Sequence, residues 1–217
     1  MTSFDEPAYK IAEFLLQIKA IKLQPDNPFT WASGWKSPIY CDNRKTLSYP
    51  AIRTYIRQQF VNSINSNFAK PDVIAGVATG GIALGALVAQ EMNLPFVYVR
   101  SEAKKHGLTN MIEGEINSSQ SVVVIEDLIS TGGSSLKAVE ALREKGCDVK
   151  GMVAIFTYGF ENATENFNKA KCNLKTLTNY DVLIKTALSK NYVSEKDIDS
   201  LTNWRIDPAN WNSKLIK

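Results

Sequence analysis

Little in this chain points to covalent or metal cross-linking. Three cysteines, Cys41, Cys147 and Cys172, are scattered over 217 residues, and no two stand in a C-x-x-C pair. A disulfide framework and a zinc site are therefore both excluded as organising features, and a reducing compartment fits best. Histidine occurs once, at His106. No apolar run approaches the 18 or so residues of a membrane span, and no signal peptide opens the chain. The expectation is a cytoplasmic protein that neither crosses a membrane nor enters a secretory route. Charge of one sign is also lacking. The net charge is +3, too small to argue for a nucleic-acid partner. Internal repeats and low-complexity linkers are missing too. What remains is 44% hydrophobic and 22% charged, an ordinary globular composition long enough for one domain.

The most informative stretch is Ser121 to Ser135, SVVVIEDLISTGGSS. Val122 to Ile125 reads as a strand buried on both faces, as in a parallel sheet. Glu126 and Asp127 follow at once. Leu128 and Ile129 lead into Ser130, Thr131, Gly132, Gly133 and Ser134, and a helix opens there. Leu136, Val139 and Leu142 repeat at helical spacing, and Gly146 stands where a C-cap would. A helix N-terminus presents free N–H groups and partial positive charge. Glycines let a ligand approach the backbone, and the hydroxyls add donors, so the turn makes a phosphate cradle. The two carboxylates repel phosphate. They suit neutral hydroxyls or a hydrated metal ion. A phosphate and a diol within one loop's reach describe a ribose 5-phosphate. A Walker loop is excluded because no Gly-Lys-Ser/Thr follows the glycines, and no G-x-G-x-x-G marks a dinucleotide site.

Elsewhere the pattern alternates. Helices are expected over 7–20, from 48 to about 68, over 82–89, 161–171, 181–188 and 194–201. Strands are expected over 39–41, 73–77, 96–99, 151–158 and 174–178. The turn Ala78-Thr79-Gly80-Gly81 repeats the strand–glycine–helix theme. Such alternation argues for an α/β fold with a parallel sheet flanked by helices, whose ligands bind at the carboxyl ends of strands. Residues 101–120 show no regular period. A loop of that length in a compact domain usually works as a lid, and Arg100, Lys104, Lys105 and His106 make it cationic; a merely solvated basic loop is the plain alternative.

The segment 122–134 resembles the phosphoribosyl pyrophosphate motif of the type I phosphoribosyltransferases. Residues 29–44, FTWASGWKSPIYCDNR, are similar to the N-terminal signature of the orotate phosphoribosyltransferases, through Phe29, Ser33, Gly34, Ser37, Pro38, Tyr40, Asp42 and Arg44. Arg100, Lys104, His106 and Gly107 resemble that family's mobile catalytic loop. Four departures stand out. Ala32 and Ser101 occupy places where members carry lysine, the 78–81 turn has no lysine, and Tyr158 stands near a place where some members have arginine.

The resemblance implies the type I phosphoribosyltransferase fold in one domain over 1–217. A small N-terminal hood would cover about 1–47, a core about 48–190 and a helical tail about 191–217. It implies transfer of phosphoribose to orotate with Mg2+ carried by the sugar donor and no protein metal ligand, in a homodimer whose lid reaches the neighbouring site. Lys104, His106 and Asp127 would be catalytic. Arg100, Lys104, His106 and the run Glu126, Asp127, Leu128, Ile129, Ser130, Thr131, Gly132, Gly133 and Ser134 would bind the sugar donor. Ser130, with Arg44 and Lys36 as further candidates, would bind orotate. A purine phosphoribosyltransferase and a non-catalytic sensor of phosphoribosyl pyrophosphate are the alternatives.

Overall fold

The computed structural model describes residues 6–31, 34–100 and 111–211. Helix α1 (Glu6–Gln17) leads into two small antiparallel ribbons. One pairs β1 (Ile21–Leu23) with β4 (Ile39–Cys41); the other pairs β2 (Phe29–Thr30) with β3 (Lys36–Ser37). A 3-10 turn over Asn43–Ser48 then leads into α2 (Pro50–Asn67), which starts with proline at its first position, where no N–H is needed.

The core follows as β5 (Val73–Val77), α3 (Gly80–Met92), β6 (Phe96–Val99), β7 (Ile112–Glu113), β8 (Ser121–Ile129), α4 (Gly133–Glu144), β9 (Asp148–Thr157), α5 (Glu161–Lys169), β10 (Leu174–Asn179), α6 (Tyr180–Ser189) and α7 (Glu195–Ile206). Among the described residues, six strands form one sheet in the order β10-β9-β8-β5-β6-β7. All pairs are parallel except β6 with β7. The expected α/β class is therefore the observed one. Every residue of β5 is buried, as the unbroken apolar run requires of a strand covered on both faces.

Two expectations about extent need correction. The apolar run ends at Ile125, but β8 continues to Ile129. Its pairing with β5 stops at Gly76↔Ile125, while β9 carries the ladder on to Ile129↔Thr157. Glu126 and Asp127 thus belong to the strand end, held by one neighbour, and not to the loop. The span 101–120 is also not structureless throughout. Ile112–Glu113 pairs with Val99 and Tyr98, a two-residue strand too short to show any period.

The topology fixes where a ligand belongs. From β5 the chain moves one way across the sheet, to β6 and β7. From β8 it moves the other way, to β9 and β10. The order reverses between β5 and β8, and the crevice beyond their carboxyl ends is the favoured binding place in such sheets.

Candidate active site

Both turns that follow the central strands meet in this crevice. A cleft of about 310 Å³ is lined by Ala78, Thr79 and Gly80 after β5, and by Glu126, Asp127, Leu128 and 130–135 after β8. Gly80 has no room for a side chain, because a Cβ there would overlap the Asp127 carboxylate; at Gly81 it would overlap the Ile125 carbonyl. The start of α3 is thus pressed against the backbone of β8, which brings the two turns together. The Ala78–Thr79 peptide is cis. Gly132 caps α4 at φ +81, a left-handed conformation that costs a residue with Cβ. Asn166 Nδ2 donates to the Thr131 carbonyl at 3.1 Å, steadying the turn from α5.

The acidic pair splits into two environments. Glu126 is 5% exposed at the cleft floor. Its Oε2 accepts from Ser135 Oγ at 2.8 Å and its Oε1 from the Asp127 N–H at 2.9 Å. Asp127 is held from the opposite side, where Asn43 Nδ2 donates to its main-chain carbonyl at 2.6 Å. Burial, with the neighbouring Asp127 charge second, pushes Glu126 up to about 8. Burial also raises Asp127, against the opposing pull of hydrogen bonds and Arg44.

A consequence for stability follows from Glu126. The unfolded chain gives up this proton near 4.5, whereas the folded chain keeps it to about 8. The native state then binds more protons across that window, so this contribution to stability falls as pH rises through it. Glu126→Gln keeps an acceptor for the Asp127 N–H and cannot ionise. Melting temperatures measured across the window are expected to decline more steeply with pH for the wild type than for Glu126→Gln; parallel curves would contradict the assignment.

A second cleft of about 390 Å³ adjoins the first and shares Leu128 and Ser130 with it. Its other walls are Thr30, Trp31, Tyr40, Cys41 and Tyr158. Trp31 and Tyr158 lie 5.3 Å apart between ring centroids and back onto the fully buried Trp204. Trp31 Nε1 donates to the Ile39 carbonyl at 3.1 Å, which fixes its ring. Flat, rigid aromatic walls beside a few polar groups suit a planar heterocycle.

The structure therefore gathers most of the residues expected at the site, though not all. Ile129 is fully buried and lines neither cleft. Lys36 and Arg44 also stand outside both linings. Lys36 Nζ donates to Thr30 Oγ1 at 2.7 Å, one side chain away from the aromatic cleft. Arg44 pairs with Asp42 at 2.7 Å. Arg100 lies at the end of β6, 3.5 Å from Glu113, and its N–H donates to the Met111 carbonyl at 2.8 Å. Residues 100 and 111, which flank the span 101–110, thus meet. Lys104 and His106, with Ser101 and Gly107, lie outside the described residues, as do Ala32 and Ser33. Sequence reading missed Asn43, Ser135, Trp31 and the wall role of Tyr158. Asn43 and Trp31 sit inside the quoted 29–44 signature and Ser135 closes the quoted 121–135 stretch, so their positions carried a signal although their partners did not.

Comparison with known proteins agrees with this geometry. The phosphoribosyl transferase domain model matches residues 47–185. The orotate phosphoribosyltransferase of Phocaeicola vulgatus is 63% identical over 202 residues, covering 93% of this chain and 95% of the relative. That of Porphyromonas gingivalis is 59% identical over 201 residues, covering 93% and 96%. Among solved structures, orotate phosphoribosyltransferase from Aeropyrum pernix superposes with a TM-score of 0.73 at 27% identity, covering 85% of this chain and 99% of that one. With an acidic strand end and a glycine turn at a helix start brought to one crevice, and relatives this similar over most of its length, this chain belongs to the orotate phosphoribosyltransferase family.

Proposed function

We propose that the chain transfers the 5-phosphoribosyl group of phosphoribosyl pyrophosphate to orotate, giving orotidine 5′-monophosphate and pyrophosphate in the synthesis of UMP. The observation that carries this reading is the pair of adjoining clefts that share Leu128 and Ser130. One is built for a phosphate and a diol, the other for a flat base. A sugar phosphate in the first would direct its anomeric carbon toward the second.

The N–H groups of 130–134 at the start of α4 receive the 5-phosphate. Asp127, with Glu126 beneath it, accepts from the ribose 2- and 3-hydroxyls. Ser130 stands at the junction and donates to the base. Lys36, whose Nζ donates to the cleft residue Thr30, would meet the orotate carboxylate, and Arg44 would offset charge near Asp127. In the reaction the bond from the anomeric carbon to the pyrophosphate oxygen breaks, a bond from that carbon to the orotate ring nitrogen forms, and the proton that nitrogen carried passes to the departing pyrophosphate. The carbon becomes oxocarbenium-like, and negative charge grows on the departing pyrophosphate.

The oxygens of Asp127, Ser130 and Thr131 that line the cleft suit the water shell of a hard cation, and magnesium arriving with the sugar donor would supply part of the offsetting positive charge. Arg100, Lys104 and His106 supply the remaining positive charge when the 101–110 lid closes. Closure also keeps water from the activated sugar. The joined flanks of that span fit a flap hinged at β6 and β7. A homodimer with the lid reaching the partner's site, the division into hood, core and tail, and a cytoplasmic location belong to the same reading. Among the described residues no helix is long and apolar enough to cross a membrane.

Cations aimed at charge that appears only in the transition state raise turnover more than affinity. Lys104→Ala is expected to lower kcat by about a hundredfold, the usual cost of one such group, with melting temperature unchanged. Near-normal kcat in that variant would remove the lid from the mechanism. The reading as a whole is tested by pyrophosphate release with orotate, adenine or hypoxanthine as acceptor. Orotate alone should support release. Release with a purine would instead favour a purine phosphoribosyltransferase, and no release with any base would favour a non-catalytic sensor.

A further inference from the structure

We propose that Asn43 is the positioning residue that locks the base cleft to the sugar cleft, so that orotate and the anomeric carbon are held in line. The proposal rests on the two-cleft reading above. Asn43 is fully buried in the 3-10 turn that follows β4. Its Nδ2 donates to the Asp127 carbonyl at 2.6 Å, across 84 positions of sequence. Its Oδ1 accepts from the Cys41 thiol at 3.3 Å. Cys41 is a wall of the base cleft and Asp127 a wall of the sugar cleft. One carboxamide therefore bridges the hood ribbon and the end of β8, with one polar end committed to each cleft.

The chemistry needs this residue type. A backbone carbonyl can only accept, so the group facing Asp127 must be an N–H donor. The group facing the Cys41 thiol must accept. A carboxamide offers a donor and an acceptor on one carbon without charge and without titrating, and only one of its two flips satisfies both partners. The turn itself is fixed independently. Thr46 Oγ1, fully buried, donates to the Asn43 carbonyl at 2.7 Å. Asn43 is thus held at its backbone and bonded at both tips. The hood beyond it is built from two short ribbons of two and three residues per strand. Such ribbons cannot by themselves fix the base cleft to a fraction of an ångström against the sheet. A misalignment of about 1 Å between reacting groups can cost about a hundredfold in rate while leaving each ligand's own contacts intact.

The test uses the full-length protein and two variants, Asn43→Ala and Asn43→Leu. The leucine keeps the branched shape but can neither donate, accept nor titrate, so it remains informative if the alanine variant does not fold. In both variants kcat is expected to fall by about 10- to 100-fold. The dissociation constants of phosphoribosyl pyrophosphate alone and of orotate alone, from calorimetry, should shift by no more than about threefold, since each half-site keeps its own contacts. A merely structural role would weaken binding and lower the active fraction together. If Asn43→Leu keeps wild-type kcat, or loses binding as steeply as kcat, the proposal is overturned. If the wild type itself releases no pyrophosphate with orotate, the underlying two-cleft reading fails instead.

Discussion

Alanine at Gly81 is expected to lower the melting temperature by on the order of 10 °C, and alanine at Gly80 to abolish most activity while leaving the fold standing. The two glycines are neighbours, yet their surroundings differ in kind. A Cβ at Gly81 would overlap the Ile125 carbonyl, part of the β8 backbone that is hydrogen-bonded on to β9. Backbone in a central strand cannot step aside, so α3 must shift. Overpacking of that kind costs about 1–3 kcal/mol, and each kcal/mol moves the midpoint of a domain this size by about 2–4 °C. At Gly80 the obstacle is the Asp127 carboxylate, the free end of a side chain. It can rotate away at small energetic cost, but rotation removes it from the position proposed for the ribose hydroxyls. Thermal unfolding and kcat measured on both variants should therefore move in opposite patterns. Equal loss of stability in the two would contradict the geometry.

Asp127→Asn is expected to weaken phosphoribosyl pyrophosphate binding by about 10- to 100-fold. An ionised carboxylate accepts from two hydroxyls at once, and hydrogen bonds to a charged partner contribute about 1.5–3 kcal/mol each. The amide keeps one acceptor and presents a donor where the sugar also has donors. Each 1.4 kcal/mol lost is a tenfold change in affinity. The fold should tolerate the change, because burial already disfavours the charged form of Asp127. Asn43 bonds the main-chain carbonyl and not the carboxylate, so that tie survives the substitution. Calorimetry showing unchanged donor affinity, with melting intact, would count against Asp127 as the diol partner.

The parts legible in the sequence were those with a local cause. Val73–Val77 and Phe96–Val99 read correctly as strands because their unbroken apolar runs are bounded by turn residues. The order of residue types over 122–134 likewise announced a strand, a glycine turn and a helix start, which are the end of β8 and the beginning of α4. Local pattern ran out where a distant partner decides the outcome. Glu126 and Asp127 look like loop residues until β9 extends the ladder past them. Ile112–Glu113 became a strand only because β6 lies beside it. The divided character of the acidic pair could not be read either. It depends on Ser135 a helical turn beyond the glycines and on Asn43 far upstream. Likewise the base cleft is assembled from Trp31, Cys41 and Tyr158, three positions with no shared period.

The most direct measurement is a crystal structure of the protein with orotate and a non-reacting analogue of the sugar donor. The account predicts the 5-phosphate on the N–H groups of 130–134, the ribose hydroxyls on Asp127, and the base against the wall formed by Trp31 and Tyr158, with its ring nitrogen facing the anomeric carbon. A base lodged elsewhere, or a sugar whose hydroxyls point away from β8, would contradict it.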